Sequence, residues 1–483
     1  MGRRPAICLA LAVPLLSGYG PVPSVAPPPG APAGPPDAAA QASPSAAAGA
    51  PPPASAVPFG PQPLPAPLTD ADFPAPDPAE LQLGQLLFYD PILSGDRDIA
   101  CATCHHPRFA TSDGLSLGLG TGAIGLGPDR RPDPANPPEQ RIARNSPALW
   151  NLGARQITVL FHDGRIEADP SRPSGLRTPL EEEMVAGFSG LLSAQTMFPV
   201  LSADEMAGHY GSNEISRAVR QGLITGPGGA WERIADRVVA IPAYAEGFAA
   251  VYPHVAAGAP IGFTDISNAI AAFMAVEFRA TDSPFDRHLR GEAPLTGAAA
   301  EGMALFYGPA GCAGCHAGPL LTDQRFHAMG SPQLGPGKAE RFERHQRDIG
   351  RARVTGRDAD RHAFRTPSLR MVAETGPWGH AGGHVDLADF LRHHADPVAG
   401  LAGYGPQARL PDFDPGALPD WAVMSDPAER AEIAAAVRQP PLRLDAAEIA
   451  ALLAFLEALT DRQALAGRLG IPASVPSGLP VPR

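Results

Sequence analysis

Apolar residues recur at helical spacing at several points along the chain, while strand-like alternation is scarce. The first such stretch is "DPAELQLGQLLFYDP" (Asp77–Pro91), carrying Leu81, Leu83, Leu86 and Leu87. Ser212–Ile224 and Thr264–Phe278 follow, the latter opening on Thr264 as a cap. Thr296–Tyr307 and Leu444–Asp461 repeat the pattern, with Asp445 near the start of the last. That last stretch is a core-packing helix rather than a membrane span. The glycine-rich run "GLSLGLGTGAIGLG" (Gly114–Gly127) is too irregular for a strand or a long helix. These patterns predict a mostly α fold.

The first twenty residues have a basic start and an apolar run from Ile7 to Leu16, which predicts a signal peptide over 1–20. Tyr19 stands where a lipoprotein signal would carry its cysteine, so export without a lipid anchor is expected. An uncleaved N-terminal anchor is the alternative. Residues 21–67 are almost all Pro, Ala, Gly and Ser, a composition that makes an extended tether. The expected location is the periplasm or another exported site. "RGEAP" (Arg290–Pro294) breaks two helical patterns, which sets the expected domains at 68–290 and 291–470, with a tail over 471–483. A formal charge of −12 leaves no basic field for nucleic acid.

Five cysteines change the picture. Cys8 lies in the signal run; the other four form "CATCHH" (Cys101, Cys104, His105, His106) and "CAGCH" (Cys312, Cys315, His316). Two CxxC pairs could be disulfides or a four-cysteine zinc site. The histidine after each second cysteine separates these readings, because CxxCH is the attachment motif for c-type haem. One such motif is expected by chance about 0.001 times in a chain of this composition. Two covalent haems are therefore expected, with His105 and His316 as proximal iron ligands. The motifs lie 211 residues apart, each after an amphipathic helix and a Leu-Phe pair, which is a weak internal repeat of two cytochrome-like helical domains.

With these motifs stand "LLFYDPILSGDRDIACATCHHP", "RNSPALWN", "FHDGR", "SPFDRHLRG", "GCAGCHAGPLLTDQRFH" and "FRTPSLRMVAETGPWGHAG". Together they resemble the bacterial di-haem cytochrome c peroxidase family, which includes the MauG enzymes, over roughly Pro78 to Asp461. The resemblance implies reduction of hydrogen peroxide at an N-terminal haem, with electrons passed by a C-terminal haem from a small donor protein such as a cytochrome c or a cupredoxin. A homodimer is left open. It also implies a calcium ion between the domains at Asn145, Thr375 and Pro377, the latter two through backbone carbonyls, as a hard cation prefers. Two rivals are a MauG-like oxidation of residues in a partner protein and a plain electron-transfer cytochrome.

The family's proton-moving Glu lies ten residues after a distal Gln, with a Pro four after the Gln. "AQTMFPVLSADEM" supplies Gln195, Pro199 and Glu205 at those spacings, so Glu205 is the expected acid/base and Gln195 its hydrogen-bonding companion. Some members plug the first iron with a histidine from the glycine-rich loop; here the matching position is near Thr121, and an open first iron is expected. "FHDGR" puts His162 where the family has an inter-haem tryptophan, which shifts attention to Trp150 or Trp378 as relays. Ile166–Gly190 is an insertion without an assigned role.

The family's sixth ligand to the second iron, Met or Tyr, lies fourteen residues after an H-x-G turn. His380 in "GHAGG" sets that register on His394. His393 is the fallback, since neighbours on a helix point about 100° apart. Met371 and Met329 are the remaining candidates. A second imidazole would lower the potential of that haem relative to a thioether.

Overall fold

The computed structural model describes residues 61–183, 187–339, 343, 345–416 and 419–483, all within one compact unit, Ala54–Arg483. The signal peptide and most of the tether lie outside the described residues. The unit is mostly helical and holds two main hydrophobic cores.

Each core is built on a pair of crossing helices, and the two pairs repeat one another. In the first, Pro78–Tyr89 packs on Phe263–Glu277; in the second, Gly297–Tyr307 packs on Ala446–Glu457. A Cβ on Gly84 would lie 1.8 Å from the Ala269 carbonyl oxygen, and one on Gly302 1.9 Å from that of Ala451. Only glycine allows backbones to approach so closely. Around these crossings Phe88 meets Phe273 at 5.2 Å and Phe306 meets Phe455 at 5.1 Å, while Tyr89 and Tyr307 each stand 6.2 Å from the same phenylalanines. The Leu-Phe repeat read in the sequence is thus a repeated packing unit.

Helix starts follow local capping chemistry. Asp77 accepts from the Ala79 N–H, and Asp445 from those of Ala447 and Glu448. The helix Phe263–Glu277 begins before Thr264 rather than on a Thr264 cap, because the Asp265 carboxylate accepts from the Gly262 N–H and moves the cap to Gly262. Strands are two or three residues long and form three small antiparallel sheets. From the insertion, Ile166–Ala168 pairs with Val159–Leu160 on one side and with Leu176–Arg177 on the other.

Both ends of the described residues pack on the cores. Over 471–483, Val475 is buried in the first core, and the Ser477 hydroxyl donates to Asp90 at 2.6 Å. Just before them, Glu277 accepts from the N–H groups of Arg468, Leu469 and Gly470. Asp90 and Glu277 are buried carboxylates that need donors, and the returning chain supplies them. The end of the tether is also docked, the Gln62 N–H donating to the Tyr307 carbonyl at 2.8 Å. Among the described residues no helix is long and apolar enough to cross a membrane.

The junction between the cores is ionic. Arg144 of "RNSPALWN" forks onto Asp348 at 2.7 and 2.9 Å and reaches Asp163 of "FHDGR" at 2.8 Å. These buried guanidinium contacts hold the Asp163 carboxyl down to about 2 against the opposing effect of burial.

Candidate active site

No disulfide joins the cysteines of either CxxC pair. They are not gathered into one zinc site either. Among the described residues the single group with ligand atoms inside 4.8 Å is Cys315, Asp323 and His327. Burial pushes the Cys101, Cys104 and Cys312 thiols up to about 12.

The two centres are wired alike. His105 Nδ1 faces the Thr111 carbonyl at 3.0 Å, with the Ser146 hydroxyl at 3.3 Å, and His316 Nδ1 faces the Leu321 carbonyl at 3.1 Å. A carbonyl at Nδ1 holds the proton there and leaves Nε2 as the donor atom for a metal. These residues fit a haem iron in each centre. Thr111 and Ser146, which orient His105, have no signature in the sequence.

On the far side of the second centre stands His394, its ring centre 6.2 Å from that of His316. Two metal–nitrogen bonds of about 2 Å, with the depth of each ring, would set the centres about 6.4 Å apart. The helix Leu387–Ala395 turns His393 elsewhere: that ring is buried, its Nε2 donates to the Met329 carbonyl at 3.1 Å, and it lies 4.8 Å from His384. Met371 is occupied in the first core, where its sulfur accepts from the Asp461 N–H at 3.1 Å. Among the described residues, no imidazole lies at ring-contact range from His105.

Above the first centre the glycine-rich loop is tied down by Arg130, whose guanidinium donates to the carbonyls of Leu119, Gly120 and Gly125. The loop presses on Glu205. The Thr121 N–H donates to the Glu205 carbonyl at 3.0 Å, and a Cβ on Gly120 would lie 1.9 Å from the Asp204 carbonyl oxygen. Thr121 itself is buried, its hydroxyl donating to Asp98 at 3.0 Å. Glu205 sits on a single π-helical turn, Ala203–Ala207, a feature frequent at functional sites. Asp204 is pushed up to about 6, chiefly by burial, with Gln140 donating to it in opposition. Gln195 lies in the last turn of the short helix Leu191–Thr196, with its Oε1 buried and, among the described residues, without a hydrogen-bond partner.

His162 lies at the junction, its Nε2 donating to the Asn145 carbonyl at 3.3 Å; burial, with Arg144 and Arg365 beside it, pulls the ring down to about 4. Trp150 donates to the Ala110 carbonyl in the first core, and Trp378 to the Val372 carbonyl beside the second. The Asn145 N–H donates to the His380 carbonyl at 2.8 Å, which brings Asn145 against the turn that follows Thr375 and Pro377.

A helical unit with two such centres is the architecture of a di-haem oxidoreductase. Residues 78–294 match the family described as di-haem cytochrome c peroxidase. The chain is 31% identical over 350 residues to the cytochrome-c peroxidase IdrP1 of Denitromonas iodatirespirans, covering 67% of this chain and 75% of that protein. It is 29% identical over 320 residues to the methylamine utilization protein MauG of Methylorubrum extorquens, covering 66% and 69%. Among solved structures, a MauG-like protein associated with microbial copper homeostasis is 26% identical, with a TM-score of 0.52 over 83% of this chain and 95% of that one. The diheme peroxidase BthA of Burkholderia thailandensis, 21% identical, shares the fold with a TM-score of 0.54 over 89% and 97%. The chain belongs to the di-haem cytochrome c peroxidase family and is an oxidoreductase of that type, with haem as its cofactor.

Proposed function

We propose that the chain reduces hydrogen peroxide to water at the first centre, with electrons relayed through the second. Cys101 and Cys104 would hold one haem covalently, with His105 available to its iron. Cys312 and Cys315 would hold the other, with His316 and His394 available to its iron. The haems supply an iron that cleaves the peroxide O–O bond and one that carries single electrons.

The chain's own part is to handle protons and keep one centre open. Glu205 takes a proton from peroxide and returns it to the departing oxygen, while the Gln195 amide, whose acceptor has no partner among the described residues, orients the substrate. Thr121, engaged with Asp98, leaves the first centre unplugged, so no reductive activation is needed. The observation that carries this reading is the asymmetry of the centres: His316 faces a second imidazole and His105, among the described residues, does not. A calcium ion at Asn145, Thr375 and Pro377 would brace the junction. The enzyme works after export, drawing electrons from a cytochrome c or cupredoxin.

Saturable peroxide consumption by the reduced protein, lost in Glu205→Gln at full haem content, is the expected result. Unchanged turnover in that variant would remove Glu205 from the chemistry. A MauG-like second reading is favoured by the His394 imidazole, which suits a centre that stores oxidising equivalents; a partner protein oxidised at specific residues would establish it.

A further inference from the structure

The chain has four tryptophans, Trp150, Trp231, Trp378 and Trp421, and neither proton handling at Glu205 nor iron ligation uses any of them. Trp150 differs from the rest in what it is bonded to. Its indole N–H donates to the Ala110 carbonyl at 2.8 Å, and the N–H of the preceding residue, Leu149, donates to the Thr111 hydroxyl at 2.8 Å. Thr111 is the residue whose carbonyl faces His105 Nδ1 at 3.0 Å. Earlier on the same strip, the Ser146 hydroxyl donates to the Cys104 carbonyl at 2.8 Å and lies 3.3 Å from that Nδ1. The strip from Ser146 to Trp150 is thus fastened at both ends to the segment that carries His105. Two hydrogen bonds and the backbone of Thr111 are all that separate the indole nitrogen from the imidazole. Trp231 and Trp378 donate instead to the Met197 and Val372 carbonyls, and Trp421 packs with Leu401 and Val423. Among the described residues, none of those partners is bonded to a CxxCH histidine.

The surroundings of Trp150 suit an indole that loses an electron and keeps its proton. The side chain is buried, and Phe278 meets it edge to face at 6.0 Å. The Ala110 carbonyl turns its negative end to the N–H, which favours positive charge on the ring and offers the proton no base to leave to. Beyond Phe278, Phe88 follows at 5.5 Å and Tyr89 at a further 5.4 Å. The Tyr89 hydroxyl is buried without a hydrogen-bond partner among the described residues. A phenol is readily oxidised only where its proton has an acceptor, and here it has none. An oxidising equivalent that reaches Trp150 therefore stays on the indole.

We propose that Trp150 is a one-electron store for the first centre, giving an electron through the Ala110–Thr111 peptide and His105 when the second centre has none to give. The proposal rests on the reading of the first centre as the place where peroxide is cleaved. Over the full cycle hydrogen peroxide takes two electrons, and two protons from solvent, and leaves as two waters. In the fully oxidised protein one of those electrons is drawn from the first haem and one from the indole, whose N–H bond stays intact. Two electrons from the donor, arriving through the second centre, then restore both.

The test is freeze-quenched EPR of the haem-loaded, fully oxidised protein after one equivalent of hydrogen peroxide, with haem absorbance followed in parallel. An organic radical signal should appear, and should narrow when the protein is produced with ring-deuterated tryptophan. It should be lost in Trp150→Phe at full haem content and persist in Trp231→Phe, Trp378→Phe and Trp421→Phe. Those three variants assign the signal by elimination even if Trp150→Phe folds poorly. Tyr89→Phe should also leave it in place.

Haem absorbance that responds to peroxide while no tryptophan-derived radical forms overturns the proposal and leaves the first centre as the site of cleavage. A tryptophan radical that persists in Trp150→Phe, or that is lost in one of the other three tryptophan variants, overturns it as well. Haem absorbance indifferent to peroxide overturns both readings together.

Discussion

His393 and His394 are adjacent, yet their replacement should have opposite consequences. His394 faces His316 at a ring separation of 6.2 Å, close to the about 6.4 Å expected with a metal between two imidazoles. In His394→Ala, low-temperature EPR of the oxidised protein should lose the bis-imidazole low-spin signal and keep the high-spin signal of the first centre. In His393→Ala both signals should survive, and the cost should appear in stability. The His393 ring is 3% exposed, donates to the Met329 carbonyl and packs against Gly400. Removing roughly 60 Å³ of ring costs about 1.5 kcal/mol at ~24 cal/mol per Å³ of cavity. The lost hydrogen bond adds about 1 kcal/mol. Denaturant midpoints of the two haem-loaded variants would show the difference. A low-spin signal that disappears in His393→Ala and persists in His394→Ala would refute the assignment.

Three further outcomes follow from the same geometry. Glu205→Gln should lower peroxide turnover by about 10²- to 10⁴-fold, measured as peroxide loss in the reduced protein, with haem absorbance unchanged. Gly84→Ala and Gly302→Ala should each destabilise by about 1–3 kcal/mol, since each new methyl meets a helix carbonyl that cannot retreat; thermal unfolding reads the loss. His380, buried with both ring nitrogens unpartnered, is pulled from the ordinary 6.5 down to about 3, chiefly by burial. The stability its neutral ring confers is complete above pH 6.5 and declines as pH falls toward 3, by about 2 kcal/mol at pH 5. His380→Leu should remove that share of acid sensitivity, seen as a smaller gap between denaturant midpoints at pH 7.5 and pH 5.

What could be read from the sequence was whatever local chemistry specifies. Helix starts at Asp77 and Asp445 were legible because a cap is a relation among four neighbouring residues. The two CxxCH sites were legible because attachment of a c-type haem demands two thiols and an imidazole at fixed spacing. The Leu-Phe repeat was visible, but its meaning was not. That Gly84 and Gly302 are crossing points depends on Ala269 and Ala451, each more than a hundred residues away. The return of residues 468–477 to the first core is of the same kind: Glu277 and Asp90 each need donors, and nothing near them in sequence announces which segment will supply them. The ionic junction belongs with these: Asp163 is near Arg144 in sequence, but Asp348, the other partner of that arginine, lies 204 residues away. A CxxCH site is a relation among five neighbouring residues, whereas the pairing at that junction exists only once the two halves of the chain have packed together.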